Sequence, residues 1–197
     1  MAILTRILHR SPRGSRAVRC ALLGLTTLLL ASHSGFGVEP SLTKNQVEAL
    51  FLFNFAKYVD WPAAAFPGTN APIIIGVMGE DRFADDLRHV VESKTVNGRP
   101  FVIKPLATDS EVSGCHILFI SESQASRTGS ILDKARTLPV LTVGEDEPFA
   151  RNGGIITFVL RNGNVRLDID LTSARKAGVT ISSRLLAVAD VVKGKTN

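Results

Sequence analysis

Residues 73–78 read IIIGVM, an uninterrupted apolar run. Such a run lacks the apolar–polar alternation of a half-exposed strand and is typical of a strand buried on both faces. Helical patterns follow at about 82–93 and 123–136. Three further predicted strands are FVIKPL (101–106), CHILFI (115–120) and PVLTV (139–143). Alternating strands and helices predict an α/β fold with a mainly parallel sheet and helices on both faces.

The C-terminal part of the chain has a different pattern. IITFVL (155–160) and VRLDIDL (165–171) flank RNGN, and Asn162-Gly163 suits the positive φ angles of a tight hairpin turn. VRLDIDL alternates apolar and charged residues, so one of its faces is expected to be exposed to solvent. We therefore expect a β-hairpin at the edge of the sheet, followed by a final helix over about 182–192.

The segment LFLFNFAKYVDWP (50–62) is unusually rich in rings for a chain with 10 Phe, one Tyr and one Trp. Thr43 with Gln46 fits a capping box, so a helix is predicted from Thr43 to about Asp60. Pro62 would stop it, because the residue before a proline is disfavoured in the helical region. At about 100° per residue, one stripe of this helix faces the sheet: Val47, Phe51, Phe55, Tyr58 and Val59.

Two aromatic residues do not fit this stripe. Phe53 lies on the side of Lys57 and Asp60, and Trp61 lies between the two faces. Aromatic residues off the buried stripe either make additional core contacts or meet a partner, because rings are enriched in interface cores. Both interpretations remain open here. Under the second, the partner surface comprises Phe53, Trp61, Lys57 and Tyr58.

The N-terminus predicts export. Residues 1–19 hold five arginines and no acid, the apolar run ALLGLTTLLLA (21–31) follows, and small and polar residues come next. This is the order of a secretory signal peptide. The apolar run is too short to span a bilayer, which needs about 20 residues. We expect cleavage after Gly37, with cleavage after Ser34 as the alternative, and a single exported domain at 38–197 without membrane insertion.

Removal of residues 1–37 changes the charge of the protein. The whole chain has 23 Lys+Arg against 18 Asp+Glu, a net charge of +5. All of this excess lies in the predicted signal peptide, so the predicted mature chain is neutral. Binding to nucleic acid depends strongly on basic residues that neutralise phosphates. A nucleic-acid partner is therefore not expected.

The residues that usually carry catalysis do not assemble into a site. Cys115 is the one cysteine after the signal peptide, so it is expected to be unpaired, either as an inert core thiol or as a reactive or intermolecular one. With His89 and His116 it makes no zinc-ligand spacing. A G-x-G-x-x-G phosphate loop and a G-x-S-x-G elbow are both missing. We expect no catalytic residue, no metal, no cofactor and no enzyme.

A short pattern occurs twice, in GVMGEDRFA (76–84) and LTVGEDEPFA (141–150). In each, a predicted strand ends at Gly-Glu-Asp, where open α/β sheets bind ligands. These acids either line a small-molecule pocket or, in the case of the two aspartates, cap the helices that follow. A small-molecule-binding module is thus the alternative function. The candidate pocket residues are Glu80, Asp81, Glu145 and Asp146.

Several segments, taken in order, resemble one protein family. They are FLFNFAKYVDWP, IIIGVMGEDRF, NGRP, SGCHILFIS, PVLTVGEDEPFARNGGIITFVLRNGNVRLDIDL and AGVTISSRLL. Together they resemble the periplasmic YfiR family. The resemblance implies a Rossmann-like α/β sandwich that is often a homodimer. It also implies a repressor that binds the sensor region of an inner-membrane diguanylate cyclase, lowering cyclic di-GMP and biofilm formation.

The cysteines depart from this resemblance. Disulfides stabilise and redox-tune the best understood member of the family. Cys115, in SGCHILF, matches one of the cysteines involved, whereas the PIIIGVM and ARNGGIITF segments hold none where the others would fall. Redox control through intramolecular disulfides is therefore not implied for this chain.

Export can be tested directly. The mature protein should begin at about Val38 and be recovered from the periplasm of fractionated cells, as N-terminal sequencing would show. Met1 or Ala2 at the N-terminus of a cytoplasmic protein would contradict the predicted compartment.

Overall fold

A computed structural model describes residues 42–79 and 81–192 of the chain. The predicted signal peptide, with both cleavage sites, lies outside the described residues. The strands are β1 (Val59–Asp60), β2 (Ile73–Met78), β3 (Thr95–Val96), β4 (Arg99–Pro105), β5 (Ile117–Ile120), β6 (Leu141–Gly144), β7 (Ile156–Arg161), β8 (Asn164–Asp170), β9 (Thr180–Ile181) and β10 (Asp190–Val192).

The helices at Asp81–Val91 and Thr128–Ala135 overlap those predicted at about 82–93 and 123–136, whereas Leu171–Lys176 was not predicted to be helical. The described helices are α1 (Lys44–Tyr58), α2 (Asp81–Val91), α3 (Thr128–Ala135), α4 (Glu147–Arg151), α5 (Leu171–Lys176) and α6 (Ser183–Leu186). Single 3₁₀ turns occupy Ala63–Ala65, Asp109–Val112 and Glu122–Gln124. Within the described part of the chain, no helix is long and apolar enough to cross a bilayer.

One sheet of eight strands forms the centre, in the order β10-β8-β7-β6-β5-β2-β4-β3. Strands β4, β2, β5, β6 and β7 are parallel, whereas β8 runs antiparallel to β7 and β3 antiparallel to β4. The predicted α/β fold with a mainly parallel sheet is confirmed. IIIGVM is strand β2, and Ile75 lies between Ile103 of β4 and Ile117 of β5.

Helices cover both faces of the sheet, as predicted. Phe55 of α1 and Leu87 of α2 belong to the hydrophobic cluster on one face, together with Ile75. Ile131 of α3 and Phe149 of α4 belong to the cluster on the other face. Strand β2 supplies side chains to both clusters because successive residues of a strand point to opposite faces. This explains why its sequence shows no polar alternation.

Helix α1 begins at the predicted cap and ends earlier than expected. Thr43 Oγ1 accepts the Gln46 N–H at 3.2 Å, and Gln46 Oε1 accepts the Thr43 N–H at 3.0 Å, which is a capping box. The helix stops at Tyr58 because Val59 and Asp60 pair with the distant strand β9. Its buried face also differs from the predicted stripe, and consists of Glu48, Ala49, Leu52, Phe55 and Ala56.

The C-terminal hairpin is present, but it does not form the edge of the sheet. Asn162 and Gly163 have φ values of 53° and 75°, as a tight hairpin turn requires. Strand β10 pairs in parallel with β8 and takes the edge position. The predicted helix over 182–192 is therefore wrong beyond α6. The β-branched Val191 and Val192 favour an extended chain, and Arg161 of β7 pairs with Asp190.

Cys115 lies buried just before β5 and contacts the cluster around α3. Its Sγ is 3.8 Å from the carbonyl oxygen of Glu111. Burial raises the pKa of the Cys115 thiol, which disfavours the reactive thiolate. A Cβ added at Gly76 would lie 2.8 Å from this sulfur. The environment thus fits a core thiol packed against the neighbouring strand.

The central role of Phe55 can be measured. Phe55 is fully buried, with its ring centroid 6.1 Å from Phe51 and 6.0 Å from Phe158. Phe55→Ala should lower the free energy of unfolding in urea by about 3–5 kcal/mol, because a cavity remains. Leu160→Ala is the control, since Leu160 is 72% exposed and should change stability by only about 0.5 kcal/mol. Equal losses would contradict the placement of Phe55.

Candidate functional site

A half-buried surface of rings and basic side chains lies beside the C-terminal end of α1. We refer to it as the aromatic–basic surface. Its members come from α1, the loop before β2, the turn after α2, and strand β4. They are Phe53, Lys57, Trp61, Phe66, Lys94, Arg99 and Phe101.

Phe53 is a half-buried ring on the α1 side of this surface. Its centroid is 5.7 Å from that of Phe101, so it is not simply directed into water. The ammonium nitrogens of Lys57 and Lys94 lie 4.1 and 4.8 Å from the Phe53 centroid. Cations over a ring face are attracted by its quadrupole. The helical phase correctly places Phe53 beside Lys57, but it could not show Lys94 or Phe101.

Trp61 is attached to the sheet through His116. The indole Nε1–H donates to the carbonyl oxygen of His116 at 3.0 Å. Its ring meets Phe66 and His116 edge-on, with centroid distances of 6.4 and 6.2 Å. The His116 and Phe66 rings stack at 4.2 Å. Trp61 is therefore a half-buried, ordered ring.

Arg99 connects the two halves of the aromatic–basic surface. Its guanidinium lies 3.8 Å from the centroid of Phe66 and donates to the carbonyl oxygens of Gly68 and Ala71 at 2.9 and 2.8 Å. Arg99 and Phe101 point to the same face of β4 because strand side chains alternate. Phe53, which contacts Phe101, and Trp61, which contacts Phe66, thus belong to one continuous surface.

Tyr58 is also half-buried, but its clearest contact is made by its backbone. The Tyr58 carbonyl accepts the N–H of Ser182 at 2.8 Å, next to the pairing of β1 with β9. This bond ties the end of α1 to the C-terminal segment. Of the four predicted partner residues, the structure brings Phe53 and Lys57 into direct contact and joins Trp61 to them through β4.

The predicted acidic pocket is only partly described. Glu80 and the side chain of Asp81 lie outside the described residues. Asp146 caps α4, and its carboxylate accepts the Phe149 N–H at 2.8 Å, in agreement with the capping interpretation. Glu145 forms an ion pair with Lys44 of α1 and accepts the Glu122 N–H at 3.3 Å.

The sequence analysis missed Glu48, which faces Glu145 from α1. Glu48 is 1% exposed, and the Lys44 ammonium lies 3.7 Å from its Oε1. Burial, and then the charge of Glu145, raise the pKa of Glu48 to about 8, while Lys44 opposes the change. Burial lowers the pKa of Lys44, but its contacts with Glu145 and Glu48 outweigh this and raise it. The Lys44 ammonium thus lies between two carboxyl groups. The i, i+4 spacing of Lys44 and Glu48 is the feature of the sequence from which their contact could have been predicted.

The crevice between the ends of β2 and β5 is closely packed. Gly79 has a φ of 117°, and an added Cβ would lie 2.5 Å from Ser123 Oγ and 2.8 Å from Ser121 Cβ. A cavity of about 300 Å³ lies instead between α3 and α5, where Arg136, Asn152 and Ser173 are among its lining residues. In residues 42–79 and 81–192, no group of three or more His, Cys, Asp or Glu residues could hold a metal ion.

Comparison with known proteins identifies one family. A family model described as YfiR/HmsC-like matches residues 45–190. No curated protein matches the chain. A solved structure described as a conserved domain protein from Vibrio cholerae O1 biovar El Tor is similar, with a TM-score of 0.52 and 14% identity over 78% of this chain. The chain spans 61% of the length of that protein, and at this identity the likeness shows the fold alone.

The raised pKa of Glu48 predicts how stability depends on pH. Between pH 4.5, the usual value of the group, and about 8, the folded protein holds a proton that the unfolded chain releases. This contribution to stability is complete below pH 4.5 and is lost as the pH rises through 8, with a slope of at most about 1.4 kcal/mol per pH unit. Glu48→Gln should flatten the dependence in urea unfolding.

Glu147→Gln is a suitable control for this measurement, because the Glu147 side chain is 77% exposed. It should leave the pH dependence of the wild type intact. The same slope in Glu48→Gln and in the wild type would show that Glu48 does not hold the proton.

Proposed function

The chain belongs to the YfiR/HmsC-like family, and we propose that it is a periplasmic repressor of an inner-membrane diguanylate cyclase that it contacts through the aromatic–basic surface. The family is one of regulators rather than enzymes. In its best understood member, the repressor holds the sensor region of such a cyclase inactive. The proposal for this chain is direct binding to that region, with a lower level of cyclic di-GMP as the result.

The main support for the proposal is the environment of Phe53, a half-buried ring with two ammonium groups over it. Phe53 is already fixed by Phe101, Lys57 and Lys94 in the free protein. A ring that is ordered before binding loses little side-chain entropy when a partner covers it. Buried aromatic residues are among the side chains that contribute most to binding free energy at interfaces. Phe53 therefore has the properties of an anchor.

The charges of this surface indicate the chemistry of the partner. Its ionisable members, Lys57, Lys94 and Arg99, are all basic, and Lys57 is exposed. A complementary segment would present apolar side chains to the rings and carboxylates to the lysines. Complementary charges accelerate encounter and suppress wrong partners, and their effect decreases with added salt. We therefore propose an acidic, partly apolar segment of the sensor region as the binding partner.

Repression would follow from a preference for the inactive state of the cyclase. A ligand shifts an equilibrium only by the difference between its affinities for the two states. A change from 1:99 to 99:1 requires a difference of about 5.5 kcal/mol. Rings and charge pairs at an interface contribute binding free energies of this order, and repression requires that these contacts be made with the inactive state and not with the active one.

Lys57→Glu tests this proposal most cleanly, because the Lys57 side chain is exposed, donates a hydrogen bond to Asn54 and lies over the Phe53 ring. The reversed charge should repel the acidic partner. Cyclic di-GMP should rise toward the level of cells that lack the protein, while the variant accumulates normally. A cyclic di-GMP reporter and quantitative immunoblotting on the same cultures measure both.

Lys134→Glu is the matched control, since Lys134 is an exposed lysine of α3 on the opposite face of the sheet. It should repress as the wild type does. If the two variants repress equally, the aromatic–basic surface does not contact the cyclase. Phe53→Ala should also derepress, but it removes a half-buried ring and is expected to lower stability as well.

A further inference from the structure

A cavity of about 300 Å³ lies between α3, α4 and α5, beside the start of β6 and β7 and the end of β8. The strands and their ends contribute Thr142, Ile155 and Asp170 to its lining. Glu145 and Asp146 follow the other end of β6, and no residue of the aromatic–basic surface lines the cavity. Its volume is at the lower end of the range of small-molecule pockets. It is therefore a separate candidate site, large enough for a small organic molecule.

One part of the lining is apolar. Leu132 and Ala135 of α3 lie there with Val140 and Ile155, and all four residues are buried. Apolar area that a ligand removes from water on binding stabilises the complex. A ligand with a short apolar body would place that body against these four side chains.

Thr142 adds a buried hydroxyl group to the lining. It is 4% exposed, and its Oγ1 accepts the N–H of Ile155 at 3.0 Å. A hydroxyl group also carries one hydrogen to donate. In the part of the chain that the structure describes, this hydrogen has no acceptor. Because a buried donor without an acceptor is costly, an acceptor atom of a ligand would complete the hydrogen bonding of Thr142.

Three cationic side chains from three different helices line the same cavity. Arg136 caps the C-terminal end of α3, Arg151 lies in the last turn of α4, and Lys176 is the last residue of α5. Arg136 pairs with Asp133 at 2.9 Å. Arg151 pairs with Glu147 at 3.7 Å, and the side chains of both pairs are exposed. Exposed ion pairs contribute little to stability, so both guanidinium groups can exchange their partners for a ligand.

Asp170, the acid among the lining residues, does not balance these charges. Its Oδ1 accepts the N–H groups of Thr172 and Ser173 at 2.7 and 3.2 Å, and its Oδ2 accepts the Ser173 hydroxyl at 2.9 Å. Its carboxylate thus caps α5. A cation near a helix C-terminus complements the helix dipole, which accounts for each of the three cations separately. It does not account for their presence around one cavity, where like charges repel one another and a bound anion would attract all three.

We propose that this cavity binds a small organic anion. The carboxylate or phosphate group of the ligand pairs with Arg136 and Arg151, because guanidinium groups match such anions with two parallel hydrogen bonds. The apolar body of the ligand lies against the buried side chains of α3 and the neighbouring strands. The site goes beyond the proposed repressor function and does not depend on it, since the two surfaces share no residue.

Four small molecules test the site on the protein as the cell produces it. Benzoate and phenyl phosphate join an anionic group to an apolar ring, whereas benzamide lacks the charge and inorganic phosphate lacks the ring. In nuclear magnetic resonance titrations, both ring-bearing anions should shift the amide signals of Thr142, Asn152 and Ser173 saturably. Benzamide and inorganic phosphate should bind at least about tenfold more weakly. The tighter of the two ring-bearing anions identifies the acidic group that the site prefers.

Three variants locate the binding. Arg136→Gln should weaken the binding of phenyl phosphate by about tenfold or more, because charge-assisted hydrogen bonds are lost. Arg88→Gln is the matched control: Arg88 also pairs with an aspartate three residues before it, but it lies on α2, which does not line the cavity. It should retain the affinity of the wild type. Ala150→Trp places a large side chain at an exposed position of the lining and should abolish binding, with an unchanged circular dichroism spectrum.

Several results would overturn the anion site. They are an absence of saturable shifts with benzoate and with phenyl phosphate, equally tight binding of benzamide or inorganic phosphate, shifts centred outside the cavity, and equal affinities of Arg136→Gln and Arg88→Gln. Binding retained by a folded Ala150→Trp protein would also overturn it, because the anion would then lie outside the cavity. The titration of the wild type decides the question even if a variant does not fold. No cyclase takes part in these measurements, so the repressor proposal would stand.

Discussion

The pairing of β2 with both β4 and β5 is the constraint on which the rest of the structure depends. Ile75 lies between Ile103 and Ile117 in a parallel ladder, and every residue of β2 is buried except Ile74, which is half-buried. A strand buried on both faces needs a helix layer on each side. Helices α1 and α2 supply one layer, and α3 and α4 supply the other. The helix layer on this face of β2 fixes the position of α1, and therefore the positions of Phe53 and Trp61 near its C-terminal end.

Burial acts on two ionisable groups in opposite directions. It raises the pKa of Glu48 and lowers that of His116, because in each case it disfavours the charged form. Glu48 therefore contributes most to stability in acid, whereas His116 contributes most above its usual pKa. The two groups lie at opposite ends of the segment formed by α1 and the loop that follows it. Glu48 lies in α1 and faces Glu145, and the backbone carbonyl of His116 accepts the hydrogen bond from Trp61 in the loop. A fall in pH thus increases the contribution of Glu48 to stability and decreases that of His116.

The candidate surface could be predicted only in part. Phe53 and Lys57 are four residues apart on one helix, so their proximity follows from helical geometry alone. Arg99 and Phe101 complete the surface from β4, and no local pattern connects them to α1. The hydrogen bond from Trp61 to His116 joins residues that are 55 positions apart. Such contacts depend on the order of strands in the sheet, which single-sequence periodicity does not specify.

The sequence by itself determined the elements that form within a few residues. IIIGVM forms a buried strand because all its side chains are apolar. The Thr43–Gln46 capping box depends on hydrogen bonds between residues three positions apart. The Asn162-Gly163 turn depends on positive φ angles at two adjacent residues. Only the tertiary structure decided that α1 ends at Tyr58 and that β10 takes the sheet edge. Both depend on pairing with residues far along the chain, where distant partners outweigh local preference.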